Sequence, residues 1–424
     1  MLFLKRQTMG PPRATRRSFL SLAILASSVA GAAEYYNQPY ALVSVDHHSN
    51  VDLEVDTGLR ENVTGYQALL QDIFGILTPT SDTQFRPRIL ARQYDGRPDL
   101  SRVNEYVDGK TLIQSQRSSL ELYAGASRQD SYSAETLNPQ FDDFNPKAPV
   151  TAQSGAIDVG NTRTSVDFRP RYTYELSDRT GIGANAEYDM VNFKSQLPGS
   201  EVSFNYGLVN AFIKNQLSQK TSIETGVYGS DYETKQDTYK DDAYGVSFDL
   251  DHNWTQLLTG DLTVQAERDD LREMALATAT APPSPVKTFS GTNVGAFLSL
   301  SYKAQASQLR LAAGRQLVPS SAGTVEGVDQ VHLQYDRNIN PRFTLTGALI
   351  AERQRAISNI GAVNSAYDHD DGVALVSAQW ALSRTFFLAG HYSFTRSKYV
   401  TDKFPANDNE IGISIGYRGL PAQR

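Results

Sequence analysis

Between Asn409 and Arg418 the chain alternates strictly between two chemistries. Ile411, Ile413, Ile415 and Tyr417 fall on one face, and Gly412, Ser414, Gly416 and Arg418 on the other. A period of two is the spacing of a strand whose faces meet different media. In a water-soluble sandwich the apolar face points at a core. In an outer-membrane barrel it points at lipid, and the last strand pairs with the first to close the sheet. The rest of the chain decides between these two.

From Thr162 onward one theme repeats: strand, short turn, strand, longer polar loop. The short turns read as Leu176-Ser177-Asp178-Arg179, Leu217-Ser218-Gln219-Lys220, Leu258-Thr259-Gly260-Asp261, Ala304-Gln305-Ala306-Ser307, Asn338-Ile339-Asn340-Pro341 and Leu382-Ser383-Arg384. Asn, Asp, Gly, Ser and Pro at such points are ordinary hairpin chemistry. Between the turns, Val166, Phe168, Pro170, Tyr172 and Tyr174 oppose Asp167, Arg169, Arg171 and Glu175. Likewise Val246, Phe248, Leu250 and Trp254 oppose Ser247, Asp249, Asp251 and Asn253. A sandwich strand needs only about five or six residues. Many runs here are about twice that length, with ionic residues mid-strand on the polar face, which suits a wet interior. The barrel reading is preferred.

The first part fits the same scheme, with strands expected at Tyr40 to His47, Tyr66 to Leu77, Thr83 to Tyr94, Val103 to Gln114 and Ser118 to Gln129. Gln67 to Ile76 could also be read as a short amphipathic helix. Phe85-Arg86-Pro87-Arg88 recurs as Phe168-Arg169-Pro170-Arg171, which hints at duplication of a strand. A proline removes a ladder hydrogen bond, so a bulge or strand end is expected there. The fold class is therefore all-β, a transmembrane antiparallel up-and-down barrel. About 18 strands are expected, 16 being the nearest alternative, with both termini periplasmic because the count is even.

Residues 1–33 read as a secretory signal: Arg13, Arg16 and Arg17, a short apolar run from Phe19 to Ala30, and small residues at Ala30-Gly31-Ala32-Ala33. Thr15-Arg16-Arg17-Ser18-Phe19-Leu20 resembles a twin-arginine signal, but ordinary general secretion is preferred. A barrel should cross the inner membrane unfolded. No later run approaches the ~20 apolar residues of a spanning helix. Residues 34–424 form one barrel domain, with strands over roughly 40–418. The Pro-rich stretches Asn138 to Pro149 and Ala281 to Pro285 are too short to divide it.

The formal charge is −7. Loss of the leader removes five basic residues and no acid, leaving −12. An acidic protein of this kind is not a general nucleic-acid surface. Cysteine is absent, which excludes a disulfide scaffold and thiolate chemistry. The six histidines suggest no Ser-His-Asp set, and the chain does not read as an enzyme. Asp46-His47-His48 reads as a polar strand end, since adjacent strand side chains point to opposite faces. Asp368-His369-Asp370-Asp371 reads as a solvated acidic tip of an outer loop, without the spacing of a calcium loop. No catalytic, cofactor or metal residue is assigned.

The informative charges are those of the inner face. Arg86, Arg88 and Arg92 share a face, as do Asp167, Arg169 and Arg171. Glu187, Asp189, Glu224, Asp249, Asp251, Glu267 and Asp269 follow on later strands. As pore-lining groups, basic and acidic walls would set a field across the lumen and orient passing solutes. The simpler account is that wet interior positions tolerate any charge. Tyr123, Tyr228 and Phe297 fall on the same inner faces, where rings could stack on sugars or simply fill space.

The Tyr40 to Asn50 segment, the Phe-Arg-Pro-Arg strands, the tyrosine-rich hairpins with Leu-Ser turns and the Gly-Ile-Ser-Ile-Gly-Tyr ending together resemble the β-barrel porin 2 family. The resemblance covers most of the mature chain and supplies no catalytic residues. It implies an outer-membrane barrel, with exopolysaccharide export as a role of some members. One departure is that Gly419 to Arg424 follow Tyr417, where many such barrels end on an aromatic. The expectation is a passive outer-membrane channel for hydrophilic solutes, narrowed by inward-folded loops and working without a cofactor. Outer-membrane lipid, lipopolysaccharide and the barrel-assembly machinery would be its partners, with polysaccharide export or synthesis proteins if it serves export. The alternative is a non-conducting surface-binding or envelope-structural barrel.

Overall fold

The computed structural model describes residues 33–424 apart from 57–59, 132–133, 135–136, 139, 141–160, 195–200, 236–238, 275–284, 322–324, 357–367, 401 and 421–424. The leader and most of both Pro-rich stretches lie outside the described residues. Twenty strands form one sheet. They begin with β1 (Glu34–Asn37), β2 (Tyr40–His48), β3 (Val63–Gln71), β4 (Phe74–Thr78), β5 (Ser81–Tyr94), β6 (Arg102–Gln114) and β7 (Ser118–Asp130). Next come β8 (Thr162–Glu175), β9 (Thr180–Phe193), β10 (Phe204–Ser218), β11 (Thr221–Thr234), β12 (Tyr239–Asn253) and β13 (Leu258–Met274). The last are β14 (Pro285–Lys303), β15 (Ser307–Pro319), β16 (Val325–Asn340), β17 (Phe343–Ala356), β18 (His369–Ala381), β19 (Phe386–Tyr399) and β20 (Ala406–Arg418).

Every pairing is antiparallel, and all but β1–β4, β3–β5 and the closing pair join strands consecutive in the chain; β20 pairs with β2 to close the barrel, from Tyr40↔Arg418 to His48↔Glu410. β1 with β2, and β3 with β4, are each one strand with a gap, so the closed barrel has eighteen. The gaps have a physical cause. Pro39 and Pro87 have no N–H to donate. The pairs Gln71↔Arg88 and Phe74↔Phe85 flank two residues on each strand, so nothing is inserted. Pro170 behaves alike: the ladder with β9 skips between Phe168↔Tyr188 and Arg171↔Asn185 without a bulge. The expected bulge or strand end at these prolines is therefore corrected to a local loss of pairing. The Phe-Arg-Pro-Arg copies lie on strands of opposite direction, β5 and β8. Gln67 to Ile76 is strand on both sides of the gap, not helix.

The short turns gather at the end that carries both chain termini, the end that faces the periplasm in outer-membrane barrels. One expected turn moves. β12 and β13 are joined by Trp254-Thr255-Gln256-Leu257, while residues 258–261 lie inside β13. Thr255 fixes this turn, its Oγ1 accepting from the N–H of Leu258 at 2.9 Å. Trp254 thus sits at the turn, not on the strand. Asp368-His369-Asp370-Asp371 is not a loop tip either, because β18 begins at His369.

The outward faces are apolar. Ile411, Ile413 and Ile415 are 60%, 63% and 52% exposed, as are Val43 and Val45 beside them to a similar degree. Tyr174, Trp254, Tyr302, Trp380 and Phe386 stand out near the short turns, and Tyr66, Tyr188 and Tyr244 nearer the other rim. An apolar band between aromatic girdles is the outer surface of an outer-membrane barrel. On the inner face of β20, glycine leaves room for rings. A Cβ at Gly416 would lie 2.1 Å from the Phe387 ring.

One element leaves the wall. β14 pairs with β15 only from Lys303↔Gln308 up to Ala296↔Arg315. Above that, β14 stays with β13 and β15 stays with β16. The departure occurs at Gly314, whose φ is +147°, and a Cβ there would meet Ala296 O at 2.0 Å. Gly314→Val is expected to lower stability by about 1–3 kcal/mol, read as a urea unfolding midpoint in micelles. Gly347→Ala, where a Cβ meets nothing within 4 Å, serves as the neutral control.

Candidate functional site

The thirteen charges that alternation assigns to the inner face, Asp269 included, all point inward. Strand parity places them there: on β5, Phe85 and Ile89 are exposed to the outside, so Arg86, Arg88 and Arg92 point in. On β8 and β9 the outward Phe168, Tyr172, Ile182 and Tyr188 turn Asp167, Arg169, Arg171, Glu187 and Asp189 inward. Outward Val227, Val246 and Phe248 do the same for Glu224, Asp249 and Asp251, and the β12–β13 register carries this parity to Glu267.

Their partners differ from the expected basic and acidic walls. Arg86 donates through Nε and Nη2 to Asp108 Oδ2 at 3.0 and 2.8 Å, and Tyr123 donates to the other oxygen at 3.0 Å. Arg88 stacks on Tyr106, 4.0 Å from the ring centre. Arg92 donates to Gln67. Arg169 is held by three carboxylates, Asp167 at 3.2 Å, Glu187 at 3.1 Å and Asp189 at 3.4 Å. Arg171 pairs with Glu224 and lies over Phe212. Asp249 and Asp251 accept from Thr263 and Ser222. Much of the basic wall is thus neutralised where it stands.

The inward Asp241 of β12 and Glu267 and Asp269 of β13 are not. Tyr228 donates to Glu267 at 2.8 Å, and Asn293 donates to Asp269 at 2.5 Å. Asp241 is buried, and neither of its carboxylate oxygens has a hydrogen-bond partner. Among the described residues no Lys or Arg is ion-paired with Asp241, Glu267 or Asp269. These groups line a cavity of about 180 Å³ with Glu187, Tyr206, Tyr228 and Phe297.

The far wall of that cavity is the end of β15, Arg315 to Pro319. Beyond it the chain reaches across the lumen. Tyr232 donates to Ser320 O at 2.9 Å, and Val202 N–H to Ser321 O at 2.7 Å. Val325 and Leu317 pack with the inward Val191, Phe193, Phe204, Tyr206 and Tyr232. Four strand spacings separate β11 from β15 along the wall, about 19 Å, so these contacts cross the interior. This is one inward-folded segment of the expected kind. The strand pattern concealed it: Leu309 to Val318 reads as an ordinary strand, and only Gly314 marks the bend.

A second lumenal cluster joins the closing strands. His48 Nδ1 lies 2.7 Å from Asp408 Oδ2, and Nε2 3.0 Å from Asp46 Oδ2. Asp46 also accepts from Gln67, and Asp408 from the N–H groups of Ser49 and Asn50. His391 meets the neighbouring Glu410 at 3.0 Å. The polar strand end at Asp46-His47-His48 is therefore a buried clasp, with His47 alone turned outward. Above the rim, Arg97 bonds Asp52, Glu61 and Asp99. Its guanidinium holds the Asp99 carboxyl below the usual carboxylate range.

No family model matches the chain, and no curated protein is similar to it in sequence. Similar solved structures include the outer membrane protein opdK from Pseudomonas aeruginosa, at 11% identity over 91% of this chain and 99% of that one, with a TM-score of 0.40. Acinetobacter baumannii OccAB4 is 12% identical over 91% and 98%, with a TM-score of 0.42. Pseudomonas aeruginosa OccK2 (OpdF), in complex with glucuronate, is 10% identical over 91% and 98%, with a TM-score of 0.43. Likeness at this level transfers no residue role, ligand or activity.

Proposed function

We propose that the chain is a passive outer-membrane channel for small hydrophilic solutes, favouring cationic or polyhydroxylated ones over anions. The observation that carries this reading is the cavity between the β9–β14 wall and the inward segment, where Asp241, Glu267 and Asp269 lack a basic partner. Uncompensated carboxylates at a constriction attract cations and repel anions, as acidic rings do in cation channels. Tyr206, Tyr228 and Phe297 add ring faces and hydroxyls that suit a sugar or an organic amine. With no cofactor invoked, the driving force is the solute gradient. The apolar girdle implies outer-membrane lipid and lipopolysaccharide as surroundings, and the barrel-assembly machinery as the route there.

The exopolysaccharide role implied by the resemblance would ask the same rings to slide along a polymer. A segment fastened across the lumen by hydrogen bonds and apolar packing is a poor track for that, so we carry forward the small-solute reading. The same fastening favours, as a second reading, a barrel that does not conduct. Planar-bilayer recording separates them. Conductance steps with a reversal potential displaced toward the cation are expected under a KCl gradient. The triple variant Asp241→Asn, Glu267→Gln, Asp269→Asn should bring that potential close to zero while steps persist. A folded barrel without steps would establish the non-conducting reading.

A further inference from the structure

We propose that Glu352, His369 and Asp371 bind a divalent first-row transition-metal ion of the zinc type on the lumen side of β17 and β18. The site is independent of whether the barrel conducts. It follows from register. Glu352 stands opposite Asp371, and Gln354 opposite His369, so two i, i+2 pairs make one four-cornered inward patch. These strands run outward from the short turn at 341–342, which puts the patch toward the outer mouth. One ligating atom from each of Glu352, His369 and Asp371 lies within 4.8 Å of the others. His369 Nε2 is 3.4 Å from Asp371 Oδ2.

The barrel holds a comparison for this arrangement. Asp46, His48 and Glu410 are as closely grouped, but there each His48 nitrogen already meets a carboxylate, Gln67 donates to the other Asp46 oxygen, and His391 meets Glu410. Each member of that trio already has a polar partner. In the β17–β18 patch, Glu352 is 5% exposed and its Oε2 accepts no hydrogen bond, although Gln354 donates to Oε1 at 2.8 Å. Asp371 Oδ1 is likewise sealed from solvent without a donor. The nearby guanidinium groups point elsewhere: Arg353 and Arg355 both bond Asp370 on the opposite face. A buried carboxylate beside a largely buried one needs positive charge. A divalent ion supplies it and takes up both orphan oxygens.

The ligand set selects the ion. Calcium takes six to eight oxygens, about twice what is offered here. An imidazole with two carboxylates suits zinc, iron, nickel or cobalt, with a position left for water. Ser397 and Tyr399 of β19 flank the patch, Tyr399 with its ring 5.7 Å from that of His369.

The test uses the full-length barrel, folded in detergent, stripped with a chelator, dialysed and titrated with Co²⁺, Zn²⁺ and Ca²⁺. One Co²⁺ per barrel with visible ligand-field bands is expected, displaced by Zn²⁺ and not by Ca²⁺. Loss of outer-shell partners alone weakens metal binding by about 10–100-fold, so Glu352→Gln and Asp371→Asn should each weaken it by at least ~100-fold. Zn²⁺ should raise the thermal midpoint of the native barrel and not of Glu352→Gln. That variant only swaps an oxygen for an amide nitrogen and can be checked for folding by its heat-modifiable mobility. His47→Ala should bind as the native chain does. Absence of Co²⁺ uptake, undiminished affinity in folded Glu352→Gln, or a preference for Ca²⁺ would each overturn the assignment.

Discussion

Replacing His48 with alanine is expected to lower barrel stability by about 3–5 kcal/mol, the range for breaking a buried ion pair from one side. His48 joins strands from opposite ends of the chain, with Asp46 on β2 and Asp408 on β20 both buried. Both ring nitrogens face carboxylate oxygens, and only a doubly protonated imidazole can donate at each. Alanine would leave two carboxylates near one another with no cation between them. The penalty therefore lies in the orphaned charges more than in the lost contacts. This yields an internal check: adding Asp46→Asn and Asp408→Asn to His48→Ala should restore part of the loss. His48→Gln, which keeps one donor, should fall between. His47→Ala, on the outer face, should stay within about 0.5 kcal/mol. Urea unfolding of the refolded barrels measures all of these. Equal midpoints for His47→Ala and His48→Ala would show that the clasp contributes nothing to closure.

The clasp also marks where sequence reading stops. Alternation fixes which face a side chain takes, because the strand period is two. Parity on the closed barrel follows that alternation for the inner-face charges and the outward isoleucines, and β20 pairs with β2. Alternation carries no information on register between strands, and register decides which charges meet. Arg169 and Arg171 read as a free basic wall, yet Glu187 and Asp189 of the adjacent β9 lie within reach of Arg169, and Arg171 reaches across β9 and β10 to Glu224 of β11. Asp241 lay outside the runs that alternate cleanly, so it was not singled out.

Other gaps have other causes. Trp254-Thr255-Gln256-Leu257 and Leu258-Thr259-Gly260-Asp261 carry comparable turn chemistry, and the Gly-Asp pair drew the turn four residues too far. Asp368-His369-Asp370-Asp371 is acidic enough to pass for a solvated tip. Its parity held the clue, since His369 and Asp371 share a face that Asp370 does not. A search for i, i+2 pairs of ligating side chains on successive strands would have found both Glu352-x-Gln354 and His369-x-Asp371. The inward turn at Gly314 has no such signature, because residues on either side of it keep alternating.

Whether the outer face meets lipid is open to a direct energetic test at Ile413. Ile413 is 63% exposed, between Val45 of β2 and Gly390 of β19. Tyr417 lies at the level of the short-turn aromatics, its ring tilted at 59° to that of Phe386 with centres 5.3 Å apart. A tilted strand gains roughly 2.5 Å of height per residue, so an apolar band about 25 Å tall spans about ten residues from there. Ile413 then falls near the middle. Ile413→Lys should destabilise the barrel by about 2–4 kcal/mol, while Leu420→Lys, beyond the strand end, should change it by about 0–1 kcal/mol. In water an exposed isoleucine replaced by lysine changes stability by no more than about 0.5 kcal/mol. Depth, not exposure, is the variable: both positions are open to the outside, and only a hydrocarbon medium distinguishes them. Refolding both variants into lipid vesicles and measuring their unfolding gives that comparison. Equal stabilities would remove the lipid-facing assignment of β20, and with it the reason for the last strand to present isoleucine outward.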